Sequence, residues 1–140
     1  PSRQMVDGYA DQFADVDVDR VLDALRLMRR ASLLIRELEA YFARHDLSQL
    51  RFLMMILIDR EPERNCLAAS EIAERLDVSR PVVTRTLQGL ERAGLIAISE
   101  NSEDARSRNV TLTLSGKAKL DEVLPGYFAI LHRPDPAADK

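Results

Sequence analysis

Residues 17–45 constrain this chain more than any other stretch, because they carry two apolar stripes at helical spacing. Val18, Val21, Leu25, Met28 and Ile35 form one stripe; Leu22, Leu27, Ala31, Leu34, Leu38 and Tyr41 form the other. A helix with one stripe lies on a core, whereas a helix with two needs cover on both sides. A chain of 140 residues has little left over to supply the second cover. The pattern predicts one long helix, capped by Asp17 or Asp19, with one face on its own domain and the other on a second copy. Ahead of it, residues 1–16 form an acidic arm in which Met5, Tyr9 and Phe13 recur at helical spacing and Gly8 weakens the pattern. A frayed terminus is expected there.

The length is that of one domain, and 46% apolar with 31% charged residues is an ordinary soluble balance. A disordered chain and a disulfide scaffold are both excluded. A single cysteine, Cys66, cannot close an intrachain bridge, which points to a reducing compartment. No apolar run reaches membrane-spanning length and no basic-then-apolar leader begins the chain, so no membrane partner and a cytoplasmic location are expected.

Downstream of the long helix the pattern changes quickly. Ser48 can cap a helix over 48–60 that is apolar nearly all round, and its methionine pair, Met54 and Met55, reads as core filling. Pro62 ends it. Two short helices follow at 69–76 and 80–93, separated by Asp77-Val78-Ser79. Ser70 is the expected cap of the first and Ser79 of the second, where Pro81 loses no hydrogen bond in the opening turn. Ile72, Ala73 and Leu76 form one inner face, Val83, Leu87 and Leu90 the other, and Gly94 stops the second helix. Residues 95–99 and 109–114 read as strands, with Val110, Leu112 and Leu114 alternating with Thr111 and Thr113. A polar hairpin tip lies between them. A last helix over 115–131 should break or kink at Pro125-Gly126.

Helix, tight turn, helix, strand, polar tip, strand is the order of a winged helix-turn-helix. Asp77 stands where such a turn wants a left-handed residue. The outward face of 80–93 carries Ser79 at its start, then Arg80, Val82, Thr84, Arg85 and Gln88. Arginine and glutamine can pair with base edges, while threonine and valine can meet thymine methyls. At the hairpin tip Arg106 and Arg108 lie on the same side of an extended chain, and Asp104 can fix the direction of Arg106 for a narrow minor groove. The net charge of −3 speaks mildly against an anionic partner, but residues 1–23 sum to −4, which leaves +1 for the remainder. All but three cations, Lys117, Lys119 and Lys140, are arginine.

The run from Ser70 through Leu87 (Ser-Glu-Ile-Ala-Glu-Arg-Leu-Asp-Val-Ser-Arg-Pro-Val-Val-Thr-Arg-Thr-Leu) resembles the DNA-binding core of MarR-type transcription regulators. So do Leu90-Glu-Arg-Ala-Gly-Leu-Ile, Asp104-Ala-Arg106-Ser and Val110-Thr-Leu-Thr-Leu-Ser-Gly116-Lys, and the likeness extends over 18–131. It implies a homodimer on a pseudo-palindromic duplex, usually a repressor, often released by a small aromatic effector. It also implies that Arg106 enters the minor groove and helix 80–93 the major groove. One departure stands out: such regulators usually end in a further long helix, whereas nine residues with Pro134 and Pro136 follow Leu131 here. Dimerisation is then expected to rest on Val18, Val21, Leu25, Leu124 and Phe128.

The expected fold is mainly α with a small β-hairpin wing (α+β). The expected organisation is the arm at 1–16, helical dimerisation segments at 17–47 and 115–131, the winged helix-turn-helix at 48–114, and a disordered tail at 132–140. No catalytic constellation, metal spacing, phosphate loop or cofactor motif is legible, and an enzyme is not expected. Cys66 reads as an inert thiol, and Arg75 either touches a phosphate or pairs with Glu71. Phe52, Met54, Met55, Tyr41 and Arg51 can line an effector pocket, but each is equally explained as core or surface. The rival to a DNA-binding repressor is a winged-helix protein-interaction module that binds little DNA, a reading the acidic arm favours slightly.

Overall fold

In the computed structural model, residues 3–61, 67–101 and 104–133 are described, with side chains described outside 100–108. Among the described residues, six helices and three strands run in the order α1 (Arg3–Ala10), α2 (Val18–Ala43), α3 (Gln49–Asp59), β1 (Leu67–Ala68), α4 (Ala69–Leu76), α5 (Arg80–Arg92), β2 (Ile96–Asn101), β3 (Asp104–Leu112) and α6 (Leu114–His132). The chain divides into two compact units, Pro1–Ala40 and Tyr41–Lys140.

In the first unit, α1 includes Met5 and Tyr9 but ends before Phe13, and all three side chains stay more than half exposed while Val6 is buried. Arg3 pairs with Asp19. Along α2 only Leu22 and Leu38 of this unit are buried, and Leu27, Met28, Leu33, Leu34 and Ile35 remain open to solvent.

The second unit is built around α3. Its N-cap Ser48 accepts a hydrogen bond from the Arg51 backbone N–H at 3.1 Å, as the sequence suggested. Phe52, Met54, Met55 and Ile58 are fully buried, and Leu50, Leu53, Ile56 and Leu57 are half-buried, so the helix presents no wet face. Helices α5 and α6 and strand β3 pack against it. The methionine pair is core, and so is Phe52, whose ring lies 4.6 Å from Phe42 and 4.7 Å from Tyr127. Emptying such a site costs about 3–5 kcal/mol for a phenylalanine. None of the three is a free pocket wall.

The sheet has the order β1-β3-β2 and is antiparallel throughout. Ile96 faces Leu112, Ile98 faces Val110, and Leu67 takes the other edge opposite Val110. Strand β3 begins at Asp104, six residues before the hydrophobic alternation starts at Val110. The outer half of a hairpin has no core to face, so its pairing is carried by backbone bonds and leaves no period-2 signature.

Three sequence expectations need correction. Leu114 does not continue the strand: it opens α6 and is 89% exposed. Thr113 turns the chain instead. Its hydroxyl accepts from the Gly116 backbone N–H at 3.0 Å and donates to the Gly94 carbonyl at 2.6 Å. Second, Ser70 does not cap α4. The N-cap is Ala68, whose N–H donates to the Glu71 carboxylate at 3.2 Å, so the reciprocal half of a capping box does the work alone. Third, α6 is unbroken through Pro125 and Gly126. Proline forgoes one bond, to the Asp121 carbonyl four residues back, on an exposed residue where water can replace it. Packing holds the rest: Tyr41 donates from its hydroxyl to the Val123 carbonyl at 2.7 Å. A Cβ at Gly126 would overlap that same hydroxyl and lie 2.5 Å from the ring carbon that bears it.

Tyr41→Phe should therefore lower the unfolding free energy by about 1 kcal/mol, the net worth of one such bond. Gly126→Ala should cost more, and Tyr41→Phe in the same chain should recover part of that loss. Urea unfolding of the three variants checks this; additive losses in the double variant would show that the two residues do not share the site.

Candidate nucleic-acid interface

Helices α4 and α5 meet through the turn Asp77-Val78-Ser79. Asp77 closes α4 in the left-handed region (φ 52°, ψ 48°), and its N–H reaches back to the Glu74 carbonyl at 3.3 Å. Val78 N–H takes the Ala73 carbonyl at 3.1 Å. These two bonds satisfy the end of α4 and redirect the chain into α5. Ser79 occupies the N-cap position of α5, but its side chain makes no capping bond. Its hydroxyl is exposed at the head of the helix, where backbone N–H groups already favour an anion.

Helix α5 is two-sided. Val83, Leu87 and Leu90 are at most 3% exposed and bind it to the core. Arg80, Thr84, Arg85 and Gln88 are exposed on the opposite side, with Arg80, Thr84 and Gln88 spaced four apart on one stripe. Val82 is half-buried on the flank, and its carbonyl accepts from the Thr86 hydroxyl at 2.8 Å. No acid interrupts the outward face before Glu91. Arg92 stays at the helix end, its Nε donating to the Gln88 carbonyl at 3.4 Å.

Arg75 on α4 is an ion-pair residue. It donates to Glu61 at 3.0 Å and approaches Glu71 at 3.8 Å. Glu61, at the exit of α3, is 6% exposed and is the one buried charged side chain among the described residues. Sequence reasoning placed it in a loop and missed it. A charge that far from water needs a partner, but no local pattern announces one fourteen residues away.

In the hairpin, Glu100 pairs with Arg108 and Asn101 with Asp104, with a register irregularity at Glu100–Asn101. Residues 105–107 thus lie on β3 without a counterpart on β2, and Arg106 is the central one. The side chains of Asp104, Arg106 and Arg108 lie outside the described residues, as does Cys66. Of the expected dimer contacts, Val21 and Phe128 are exposed, while Val18, Leu25 and Leu124 are half-buried. No described helix is long and apolar enough to cross a membrane.

A further feature had a sequence signal that went unread. Gly89 lies inside the last turn of α5, where glycine costs about 1 kcal/mol relative to alanine. A Cβ there would overlap Nη2 of Arg51 and lie 3.1 Å from its Cζ. An unforced glycine inside a helix signals such a close approach.

Comparison with known proteins gives a consistent picture. The sequence profile of the MarR family matches residues 45–107. The chain is 32% identical over 130 residues to the HTH-type transcriptional repressor YetL of Bacillus subtilis (strain 168), covering 92% of this chain and 77% of YetL. Among solved structures, Sco3205 of Streptomyces coelicolor, a MarR family transcriptional regulator in complex with DNA, superposes with a TM-score of 0.79 at 19% identity, over 89% of this chain and 81% of that one. The M. tuberculosis transcriptional regulator MOSR in complex with DNA superposes with a TM-score of 0.64 at 25% identity, over 77% and 76%.

The turn between α4 and α5 yields a stability prediction. Asp77→Val puts a β-branched side chain into the left-handed region and should lower the unfolding free energy by about 1–2 kcal/mol, whereas Asp77→Gly should be neutral or stabilising. Denaturant melts of both distinguish them; equal losses would show that the carboxylate, not the backbone angle, holds the turn.

Proposed function

The chain belongs to the MarR family, and we propose that it is a homodimeric, sequence-specific double-stranded-DNA-binding transcriptional repressor. The observation that carries this reading is the two-sidedness of α5: one face is locked into the core and the other offers Arg80, Thr84, Arg85 and Gln88 to solvent. A major groove admits one helix, and those side chains suit its donor and acceptor pattern. Helix α4 then crosses the phosphate backbone and Ser79 meets a phosphate at the α5 N-terminus. Sco3205 and MOSR, which share this fold, were solved in complex with DNA, and this supports DNA as the partner.

The wing supplies the second contact. Arg106 enters the minor groove with Asp104 fixing its direction, and Arg108 meets the backbone. The homodimer reading is supported by α2, where Val21, Leu27, Met28, Leu34 and Ile35 are too many apolar side chains for one helix to leave in water. A second copy covers them, and two reading helices then meet a pseudo-palindromic operator in the cytoplasm. Release by a small aromatic effector belongs to the same reading and rests on the family resemblance.

Selection of random duplex DNA by the purified protein tests the reading directly. An enriched inverted repeat is expected, with half-sites spaced by about one helical turn. A well-folded sample that enriches no motif at modest salt would point instead to a protein-interaction module.

On the selected operator, Arg85→Ala or Gln88→Ala should cost about 1–3 kcal/mol and relax preference at one position of each half-site. Arg106→Ala should weaken binding to all sequences and lower the salt slope by about one unit. Unchanged preference in the first pair would remove α5 from the groove; an unchanged slope in the second would remove Arg106 from the DNA.

A further inference from the structure

The C-terminal half of α5 is held by an unusual contact. Arg51 lies in the first turn of α3, its backbone N–H bound to Ser48, and its side chain is half-buried. The guanidinium rests over the Cα of Gly89: a Cβ there would overlap Nη2 and lie 3.1 Å from Cζ and 3.5 Å from Nε. Any side chain at position 89 would have to push the guanidinium, the flexible end of Arg51, off this seat. Gly89 is buried within the last turn of the helix, and its carbonyl accepts from Ala93 N–H at 3.1 Å. A cation beside a helix C-terminus is favourably placed. Among the described residues, no carboxylate forms an ion pair with Arg51.

Distance makes this contact consequential. Gly89 is one residue from Gln88 and nine from Arg80, a span of about 14 Å at 1.5 Å per residue. The helix is rigid over that length, so a displacement at its C-terminal seat moves every reading side chain. Bidentate hydrogen bonds to base edges tolerate a few tenths of an ångström before they weaken. Phosphate attraction is far less sensitive to such a shift, because it depends on charge more than on register.

We propose that Arg51 is a positioning residue for sequence recognition: seated on Gly89, it sets the height at which α5 presents Arg80, Thr84, Arg85 and Gln88. This rests on α5 being the reading helix. Arg51 itself touches no DNA. It determines the difference between operator and non-specific affinity without contributing to the electrostatic part of either.

The test compares wild type, Arg51→Ala, Gly89→Ala and the double variant on the selected operator and on a scrambled duplex, across a salt series, with thermal melts of each protein. Gly89→Ala should lose on the order of tenfold in operator affinity, the size of one mismatched base pair, with scrambled-duplex affinity unchanged. Arg51→Ala adds no atoms and so cannot fail by a clash; it should lower the operator-to-scrambled ratio in the same direction with the salt slope unchanged. The double variant should bind the operator better than Gly89→Ala, because the methyl then occupies space the guanidinium has left.

Equal losses on both duplexes would reduce the pair to a folding role and overturn the proposal. So would a salt slope lowered by about one unit in Arg51→Ala, which would make Arg51 a phosphate contact. Wild-type selectivity in both single variants would overturn it while leaving the reading helix intact. A wild-type protein with no operator preference would overturn the reading of α5 and this proposal together.

Discussion

Everything in the second unit refers back to the burial of α3. A helix without a wet face cannot sit at the edge of a domain, so α5, α6 and β3 must enclose it. That enclosure fixes α5 from below, the hairpin through β3, and α6 through the aromatic group of Phe42, Phe52 and Tyr127. Short helices such as α4, eight residues long, are marginal on their own. Here α4 is stable because Ile72 and Ala73 are buried and its end is tied off at Asp77. The hydrophobic term dominates. Capping and turn bonds, at about 1 kcal/mol each, choose the direction in which the chain leaves each element.

Charge is arranged by a different logic. A protein with a net charge of −3 that binds DNA must still offer it a positive face, and on α4 and α5 the charges are segregated. Arg75 is drawn down onto Glu61 and Glu71, so α4 contributes little free positive charge at its side. The outward arginines of α5 have no acid beside them on that face until Glu91. The acids concentrate in residues 1–23. Net charge is a property of the chain, whereas a phosphate backbone responds to the patch within about one Debye length, roughly 10 Å at moderate salt.

The sequence was most legible where period and punctuation agreed. Ser48, Asp77 and Gly94 all do what their residue types suggest: a cap, a left-handed turn and a positive-φ stop at φ 76°. The inner faces of α4 and α5 follow directly from spacing. Legibility failed where a polar residue served a distant partner or where tertiary packing overrode a local rule. Ser70 looked like a cap, but the helix starts earlier, and the Glu71 carboxylate accepts the Ala68 N–H whatever side chain residue 68 carries. Pro125-Gly126 looked like a break, but the Tyr41 hydroxyl supports the backbone there from α2. Leu114 completed an alternation by chance, since Thr113 had already ended the strand. Glu61 and Arg51 carry chemistry through partners at separations of fourteen and thirty-eight residues, which no window of local sequence contains.

Gly89 shows how these two kinds of information differ. Helix propensity favours alanine at that position, and an exposed helix would have it. The position is buried, yet no side chain fills it. The space above its Cα belongs to a guanidinium that starts on α3, and a guanidinium is an expensive occupant for a site that a methyl group could fill without desolvating a charge. Stability alone does not select that arrangement. On the proposal above, it provides a flat, polar contact between the buried helix α3 and the C-terminal end of α5. On that proposal the constraint runs from the buried face of α3 through one arginine to the backbone of α5.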